Sequence, residues 1–246
     1  MKRKFISHRV MFALVFGLLA IVLAVRACRT QSILATVILA WVSANAFVLS
    51  LAYLGNWKKV FGKAEKGNLF WLAALFMSPM LAVIHSTWKL QNLFLSGPAS
   101  NQVTINLFLG RRCEFKELPS GIGAFVDLTA EFATPASIRK KLPVYCIPTL
   151  DGCAPAWNAC EKVFNQLHNR DLRIYVCCAN GYGRSVTFLA AWLCERGVCR
   201  SPQEAIELIQ SVRPQASPNR DQINSLILWF QTACSSPQRR YRSESH

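Results

Sequence analysis

The chain has 246 residues, 52% of them hydrophobic, and a formal net charge of +15. This length allows one large domain or two small ones, and the hydrophobic content indicates association with a membrane. The charge is uneven, because residues 1–100 contain 11 Lys and Arg and one acid, whereas residues 101–246 contain 17 Lys and Arg and 12 acids. Four lysines lie between two apolar runs, at positions 58, 59, 63 and 66, where anionic lipid headgroups are a simpler partner than nucleic acid. We therefore expect membrane lipids, and no nucleic acid, as partners.

Three uncharged apolar runs lie in the first hundred residues, near 10–25, 33–54 and 69–88. A helix needs about 20 apolar residues to cross a bilayer, and flanking arginines allow the first run to be shorter. A secretory signal peptide is the alternative for the first run, but no convincing cleavage site follows it and more apolar runs come after. Ser78-Pro79, inside the third run, indicates helix packing or a kink. The sequence predicts a membrane region over residues 1–95 with about three transmembrane helices.

A turn-rich segment, SGPASN at 96–101, marks a boundary to a second predicted domain over residues 101–235. Apolar runs predict strands at 103–109, 124–128, 144–147 and 174–177, and helical spacing predicts helices at 135–141 and 154–168. A capping box at 201–204 predicts a helix that ends near residue 212, and Ser217-Pro218 begins another. Strands mixed with helices predict an α/β fold with a central sheet flanked by helices. Residues 236–246 are polar and basic, and we expect a disordered tail.

Residues 173–196 carry the pattern that indicates function. An apolar run leads into Cys178, five mostly small residues follow, and Arg184 and Ser185 then open a segment with helical spacing. The order is strand, tight loop, helix. Such a loop turns backbone N–H groups inward and directs a helix N-terminus at one point, where an oxyanion can be held. Gly181 and Gly183 are expected to adopt the left-handed backbone angles of this cradle.

These residue types suit the hydrolysis of phosphate monoesters through a covalent intermediate. The helix N-terminus and the N–H groups favour the thiolate of Cys178, which is the nucleophilic form. The planar fork of Arg184 can bind two phosphoryl oxygens, and Ser185 can donate a hydrogen bond to the sulfur when the thiophosphate is hydrolysed. The residues predicted to bind the phosphate are Ala179, Asn180, Gly181, Tyr182, Gly183 and Arg184.

The spacing of Cys and Arg is not specific by itself. Cys194 with Arg200, and Cys234 with Arg240, have the same separation as Cys178 with Arg184. Neither of these pairs has a preceding strand, central glycines, or a Ser followed by a helix. The context therefore selects the Cys178 copy.

The motif CANGYGRS, with VYCIPTLDGCAP upstream, resembles the dual-specificity branch of the cysteine-based protein tyrosine phosphatase superfamily. The similarity covers roughly residues 101–233 and includes LFLGRR and FVDLTAEF segments like those of the small lipid-phosphatase-like members. It implies that family's fold and phosphatase activity. One departure is Cys177, because the family usually has His immediately before the nucleophile. We expect a less well supported thiolate or a disulfide between the neighbouring cysteines.

Asp151 is the predicted general acid. It follows a predicted strand, lies beside Gly152 and is 27 positions before Cys178. A carboxylic acid there can protonate the leaving alkoxide and then activate water for the second step. A turn or helix-capping Asp is the alternative interpretation of the same residue. Asp127 and Glu131 are alternative acids, although Asp127 is more typical of a buried strand end that orders neighbouring loops.

Nine of the ten cysteines lie in residues 101–246, and none forms a Cys-x2-Cys pair. A zinc site is therefore not expected, and most of these cysteines are expected to be small buried hydrophobes, with a disulfide framework as the alternative. The predicted reaction needs no cofactor.

The sequence predicts a membrane-anchored, cysteine-dependent phosphatase that acts on a phospholipid or a phosphoprotein. The loop residues 179–183 include no Lys or Arg, which argues against a polyphosphoinositide. The alternative function is a catalytically weak or silent phosphate-binding module at the membrane, which Cys177 motivates.

Two arguments about the membrane side of the second domain conflict. Basic residues before the first run and after the second favour the cytoplasm, and three spans then place residues 101–246 outside. A thiolate beside Cys177 would be at risk of oxidation there, and a cysteine-rich domain without an evident disulfide pattern suits the reducing cytosol. We expect a multi-pass integral membrane protein whose catalytic domain faces the cytosol. A third segment that re-enters at Ser78-Pro79 would reconcile both arguments.

Overall fold

The computed structural model describes residues 7–94, 97–168 and 172–234, so the predicted tail and Ser96 of the predicted boundary lie outside the described residues. The chain divides into two compact units. The first comprises residues 1–64, 68–96 and 130–133, and the second comprises 65–67, 97–129 and 134–246.

The first unit is helical, with α1 (His8–Arg29), α2 (Ile33–Gly55), α3 (Trp71–Phe76) and α4 (Ser78–Phe94). Among the described residues, α1 and α2 are long and apolar enough to cross a membrane, by length and composition. The third predicted span is not one helix, because α3 ends at Phe76 and α4 begins at Ser78. Pro79 has no N–H to continue the hydrogen-bond ladder of α3, which explains the break beside it. Two of the three predicted spans are therefore long apolar helices, and the third is interrupted beside Ser78-Pro79, where the sequence indicated helix packing or a kink.

Small and hydroxylated side chains line the contact between α1 and α2. Ser50 donates from Oγ to the carbonyl oxygen of Ala13 at 2.7 Å, and Ser43 donates to that of Ala20 at 2.8 Å. Ala13 and Ala20 are buried, which lets the two helices approach closely. The guanidinium of Arg9 also donates to the carbonyl oxygen of Tyr53 at 2.7 Å, satisfying the last turn of α2.

The second unit contains a five-stranded sheet. Its strands are β1 (Ser100–Thr104), β2 (Leu107–Arg111), β3 (Ile122–Thr129), β4 (Val144–Thr149) and β5 (Arg173–Cys178). They lie in the order β1-β2-β5-β3-β4, with β1 antiparallel to β2 and every other neighbouring pair parallel. The predicted α/β fold with a central sheet is confirmed for this unit.

One predicted strand proved to be two. The apolar run at residues 103–109 predicted a single strand. In the structure, a two-residue turn at Ile105 and Asn106 separates β1 from β2, and Thr104 pairs with Leu107. Ile105 is 79% exposed, so an apolar residue in the run does not enter the core. Apolar periodicity cannot distinguish a long strand from a tight hairpin when the turn itself carries an aliphatic side chain.

Five helices flank this sheet: α5 (Ala136–Arg139), α6 (Trp157–Leu167), α7 (Arg184–Glu195), α8 (Pro202–Val212) and α9 (Arg220–Cys234). The N-terminal cap predicted for α8 is confirmed, since Ser201 Oγ accepts from the backbone N–H of Glu204 at 3.2 Å. The carboxylate of Glu204 accepts instead from the backbone N–H of Arg200 at 2.7 Å. Helices α6 and α9 begin about three residues later than predicted.

The alternation of side chains along β5 builds a core on each face of the sheet. Val176 and Cys178 lie in the larger cluster with Phe188 of α7, whereas Tyr175 and Cys177 lie in a smaller cluster on the other face. Cys178 and Cys177 therefore point to opposite faces. This geometry does not favour the disulfide between them that the sequence led us to expect.

Candidate active site

Four parallel strands end at one edge of the sheet, and the predicted site residues follow two of them. Strand β5 ends at Cys178, and the loop after it leads directly into α7 at Arg184. Strand β4 ends at Thr149, two residues before Asp151. The carboxyl edge of a parallel sheet is where open α/β folds bind ligands. The topology thus brings together residues that the sequence separates.

The sulfur of Cys178 lies inside the loop that follows it. The backbone N–H of Gly181 donates to Sγ at 3.3 Å, and Ser185 Oγ lies 3.2 Å from the same atom. The side chain is buried, and α7 begins with its N-terminus at this loop. Donors and the positive end of the helix dipole therefore surround the sulfur, as a thiolate requires.

Arg184 is 2% exposed although its guanidinium is charged. Nη1 donates to the carbonyl oxygen of Thr149 at 2.8 Å, and Nη2 lies 3.3 Å from Asp151 Oδ1. Asp151 itself is 70% exposed. Two predicted residues, one at the start of α7 and one in the loop after β4, are therefore in contact. Sequence reasoning missed Thr149, because it acts through its backbone carbonyl oxygen, which every residue type has, so the identity of the side chain does not predict the contact.

Gly181 and Gly183 serve the loop in different ways. Gly181 has φ +76°, and a Cβ there would lie 2.5 Å from the carbonyl oxygen of Gly110. Gly183 has φ −120°, so the prediction of a left-handed angle at this residue was wrong. Glycine is required at this position for steric reasons, because a Cβ would lie 2.9 Å from Oε1 of Gln222.

The alternative acids Asp127 and Glu131 are both buried. Asp127 accepts from the backbone N–H and hydroxyl of Thr129, at 2.9 and 2.7 Å, and from Thr134 Oγ1 at 2.6 Å. This agrees with the expectation that Asp127 orders the loop after its strand. The carboxylate of Glu131 accepts from the neighbouring backbone N–H of Ala130. Asp151 is the exposed acid of the three.

Three polar residues beside the loop were missed by sequence reasoning. Arg213, at the end of α8, donates to carbonyl oxygens of the loop. Asn219 and Gln222 cap α9 and hold the backbone near Asp151, with Asn219 Nδ2 donating to Gly152 at 2.8 Å and Gln222 Nε2 donating to Cys153 at 3.0 Å. Arginine at a helix C-terminus and asparagine at an N-cap are common for structural reasons, so neither carried a functional signal.

Cys113 and Tyr175 form a buried pair in the smaller core cluster. The Sγ of Cys113 and the hydroxyl of Tyr175 are 3.5 Å apart. The Tyr175 hydroxyl donates to the carbonyl oxygen of Arg111 at 2.9 Å. Burial raises the pKa of the Cys113 thiol to about 11 and also raises the pKa of Tyr175. Both groups are therefore protonated at neutral pH, and Cys113 does not compete with Cys178 as a thiolate.

Most of the cysteines that the structure describes outside the loop are buried. Cys194 lies in the last turn of α7, so the Cys194–Arg200 pair encloses no phosphate loop, and Arg240 of the other equal spacing lies outside the described residues. Among the described residues, no group of three or more His, Cys, Asp or Glu side chains is arranged to hold a metal ion. The buried cysteines are Cys113, Cys153, Cys160, Cys177, Cys178 and Cys199.

Residues 120–232 match the family model for the dual specificity phosphatase catalytic domain. This segment is a dual-specificity-type phosphatase domain. Asp151, the whole loop after Cys178, and Arg213 lie inside the matched range. The protein is thus a hydrolase of the dual-specificity and protein tyrosine phosphatase type.

Solved structures match the phosphatase domain at low sequence identity. A mutant form of Tk-PTP is 21% identical with a TM-score of 0.50, and the match covers 56% of this chain and 99% of that one. PTPMT1 in complex with PI(5)P is 20% identical with a TM-score of 0.48, covering 56% and 99%. Human DUSP28 is 19% identical with a TM-score of 0.45, covering 57% and 98%. At this identity the Tk-PTP match shows the fold alone. No protein of curated function matches the chain significantly.

Proposed function

We propose that this protein is a membrane-anchored phosphatase that hydrolyses phosphate monoesters through a thiophosphate intermediate on Cys178. One observation carries the proposal: the sulfur lies in a loop that directs the Gly181 N–H and the Ser185 hydroxyl at it, with buried Arg184 at the start of α7. A thiol enclosed by donors at a helix N-terminus is suited to attack a dianion and to hold its oxygens.

In the first step, the thiolate of Cys178 attacks phosphorus and the bond from phosphorus to the ester oxygen breaks. The guanidinium of Arg184 binds two phosphoryl oxygens, together with the N–H groups of residues 179–184. Asp151, which lies beside Arg184 and is exposed to solvent, gives its proton to the departing alkoxide.

In the second step, water attacks phosphorus and the bond to sulfur breaks. Asp151, now a carboxylate, takes the proton from the water. Ser185 Oγ, 3.2 Å from Sγ, donates a hydrogen bond to the departing sulfur. Inorganic phosphate leaves and the thiolate is restored, so the cycle is balanced without a cofactor.

The substrate is a phosphorylated lipid or a phosphoprotein. The membrane helices keep the site close to headgroups, and the positive charge of residues 1–100 attracts anionic lipid. Hydrolysis of a panel of phospholipids in mixed micelles, compared with a panel of phosphopeptides, distinguishes the two classes.

We infer that the anchor is a hairpin of two spans, α1 and α2, with both ends in the cytosol. Basic residues precede α1 at positions 2, 3 and 4, Arg9 lies in its first turn, and four lysines follow α2 at positions 58, 59, 63 and 66. With two spans these segments lie on the same side, which the positive-inside rule assigns to the cytoplasm. The phosphatase domain then lies in a reducing compartment, and the conflict that three spans created disappears. Paired reporters fused after Trp88 and after His246 test this, and outside activity at both points would refute it.

The proposed activity is tested with the full chain in detergent. The wild type is expected to hydrolyse an aryl phosphate, Cys178→Ser is expected to be inactive, and the matched variant Cys194→Ser is expected to retain activity. Inactivity of the wild type with tight binding of orthovanadate would instead support a silent phosphate-binding module, which Cys177 at the usual His position motivates. Loss of activity in a folded Cys194→Ser variant would reject the assignment of Cys178.

A further inference from the structure

Arg213 is buried at the end of α8, with 4% of its surface exposed, and donates to two consecutive carbonyl oxygens of the phosphate loop. Nη2 donates to that of Asn180 at 3.0 Å, and Nε donates to that of Gly181 at 3.1 Å. These residues are 33 and 32 positions away in the sequence. The contact is therefore one that only the tertiary fold creates.

The planarity of the peptide bond gives these two contacts a consequence inside the loop. In a trans peptide the C=O and the N–H point in opposite directions. When Arg213 holds the carbonyl oxygen of Asn180, the N–H of Gly181 points to the opposite side, where it donates to Cys178 Sγ at 3.3 Å. By the same geometry, holding the carbonyl oxygen of Gly181 directs the N–H of Tyr182 away from Arg213 and into the loop.

The remaining contacts of Arg213 fix its guanidinium. Nη1 donates to Asn101 Oδ1 of β1 at 2.7 Å, and the guanidinium lies over the ring of Tyr182, 5.2 Å from its centroid. Burial lowers the pKa of Arg213.

A planar guanidinium suits this role in a way that an ammonium does not. Two neighbouring carbonyl oxygens at fixed separation match the fork of an arginine, whereas a lysine offers one point charge. The backbone of Gly181 cannot move toward β2, because the backbone of Gly110 leaves no space there for even a Cβ. The loop is thus held between the end of β2 and Arg213.

We propose that Arg213 is a positioning residue that orients the N–H groups of the phosphate loop toward the phosphoryl oxygens. The inference rests on the proposed phosphatase function and deepens it. Arg213 does not touch the substrate, and it acts through the peptide units that do.

The test compares Arg213→Lys and Arg213→Met with the matched control Arg200→Met, all in the full chain in detergent. Arg200 is exposed and precedes α8, so the activity of Arg200→Met is expected to stay within about twofold of wild type. Arg213→Met is expected to lower kcat/KM for an aryl phosphate by about 100-fold, as loss of transition-state donors does in other enzymes. Arg213→Lys keeps the charge but not the fork, and a loss of about tenfold is expected.

Inhibition by orthovanadate separates positioning from simple destabilisation, because vanadium becomes five-coordinate, as phosphorus does in the transition state, when the Cys178 sulfur adds to it. A positioning role predicts that the vanadate inhibition constant rises by the same factor as kcat/KM falls. A merely structural role would lower the folded fraction and therefore kcat, while leaving KM and vanadate affinity unchanged. If Arg213→Met does not fold, Arg213→Lys carries the same comparison.

Each result bears on one proposal or the other. A wild type that turns over substrate beside an Arg213→Met variant with unchanged vanadate affinity overturns the role of Arg213 alone. A wild type that binds vanadate without turnover overturns the phosphatase proposal, and calorimetric vanadate binding by the Arg213 variants then tests the positioning role. A wild type that neither binds nor hydrolyses overturns both.

Discussion

The guanidinium of Arg184 and the carboxylate of Asp151 form an ion pair between a buried residue and an exposed one. Nη2 lies 3.3 Å from Oδ1, while the two side chains are 2% and 70% exposed. Because water surrounds Asp151, the pair adds little to stability. Its consequence is positional: it holds the carboxylate beside the guanidinium that we propose binds the phosphoryl oxygens. An acid in that position can reach the leaving oxygen of a substrate bound by Arg184.

We predict that Asp151→Asn slows hydrolysis most for substrates with poor leaving groups. An alkyl phosphate must receive a proton as its bond breaks, so its kcat should fall by about 100-fold or more. An aryl phosphate with an acidic phenol needs little protonation and should fall much less. The measurement is a plot of log kcat against leaving-group pKa for the wild type and the variant. Equal losses across the series would mean that Asp151 is structural only.

Ser185→Ala is expected to slow the second step more than the first. Ser185 Oγ lies 3.2 Å from Cys178 Sγ, so its removal deprives the departing sulfur of a hydrogen-bond donor. The thiophosphate should then accumulate, and stopped-flow assays should record a burst of the phenol followed by turnover about tenfold slower or more. Ser211→Ala, at the end of α8, is the control and should leave the kinetics unchanged. Steady hydrolysis without a burst in Ser185→Ala would contradict this role.

Gly181→Ala and Gly197→Ala form a matched pair, because both glycines have positive φ, +76° and +68°. Each substitution should cost about 1 to 2 kcal/mol of unfolding free energy through backbone strain. Only Gly181→Ala also places a Cβ 2.5 Å from the carbonyl oxygen of Gly110, whereas nothing lies within 4 Å at Gly197. We expect Gly181→Ala to lose most activity and Gly197→Ala to keep it. Denaturant unfolding and aryl phosphate turnover check the two effects, and similar activities would contradict the steric argument.

The stability of the phosphatase domain should fall as the pH rises above about 9. Burial raises the pKa of Cys113 from 9.0 to about 11, so the folded protein keeps a proton that the unfolded chain releases. Between these values the unfolded state binds fewer protons, and its release of the proton favours unfolding. A difference of this size corresponds to a loss on the order of 2 to 3 kcal/mol. The burial of Tyr175 acts in the same direction at higher pH.

Unfolding of Cys113→Ala by denaturant at pH 7.5 and pH 10.5, beside the wild type, checks the source of this dependence. The variant lacks the titrating thiol, so its free energy of unfolding should decrease less over that interval. An equal decrease in both proteins would assign the alkaline sensitivity to other groups.

The local elements of the phosphatase domain could be predicted because their signals are contiguous in the chain. The strand, loop and helix around Cys178 fall within 24 residues, and the proposed nucleophile, the loop residues and Arg184 follow one another in that order. The cap at Ser201 predicted the start of α8 because a hydroxyl before proline fixes a helix N-terminus through nearest-neighbour hydrogen bonds. The sequence by itself therefore determined the fold class, the strand-loop-helix order around Cys178 and most helix and strand positions.

The tertiary structure alone decided what holds that loop in shape. The loop after Cys178 and the start of α7 are contacted from other elements by Arg213, Gln222 and the carbonyl oxygen of Thr149. Hydrophobic periodicity and short motifs do not predict such contacts. The same holds for Gly183. A small residue is required there because the side chain of Gln222 leaves no space for a Cβ, and not because of the backbone angle of Gly183. The break at Met77 and the turn at Ile105 lie inside apolar runs. Hydrophobicity does not change along these runs, so it does not show where the backbone hydrogen bonds of the helix or strand stop. Contacts between residues far apart in sequence depend on the packing of the whole domain, so only the folded chain could reveal them.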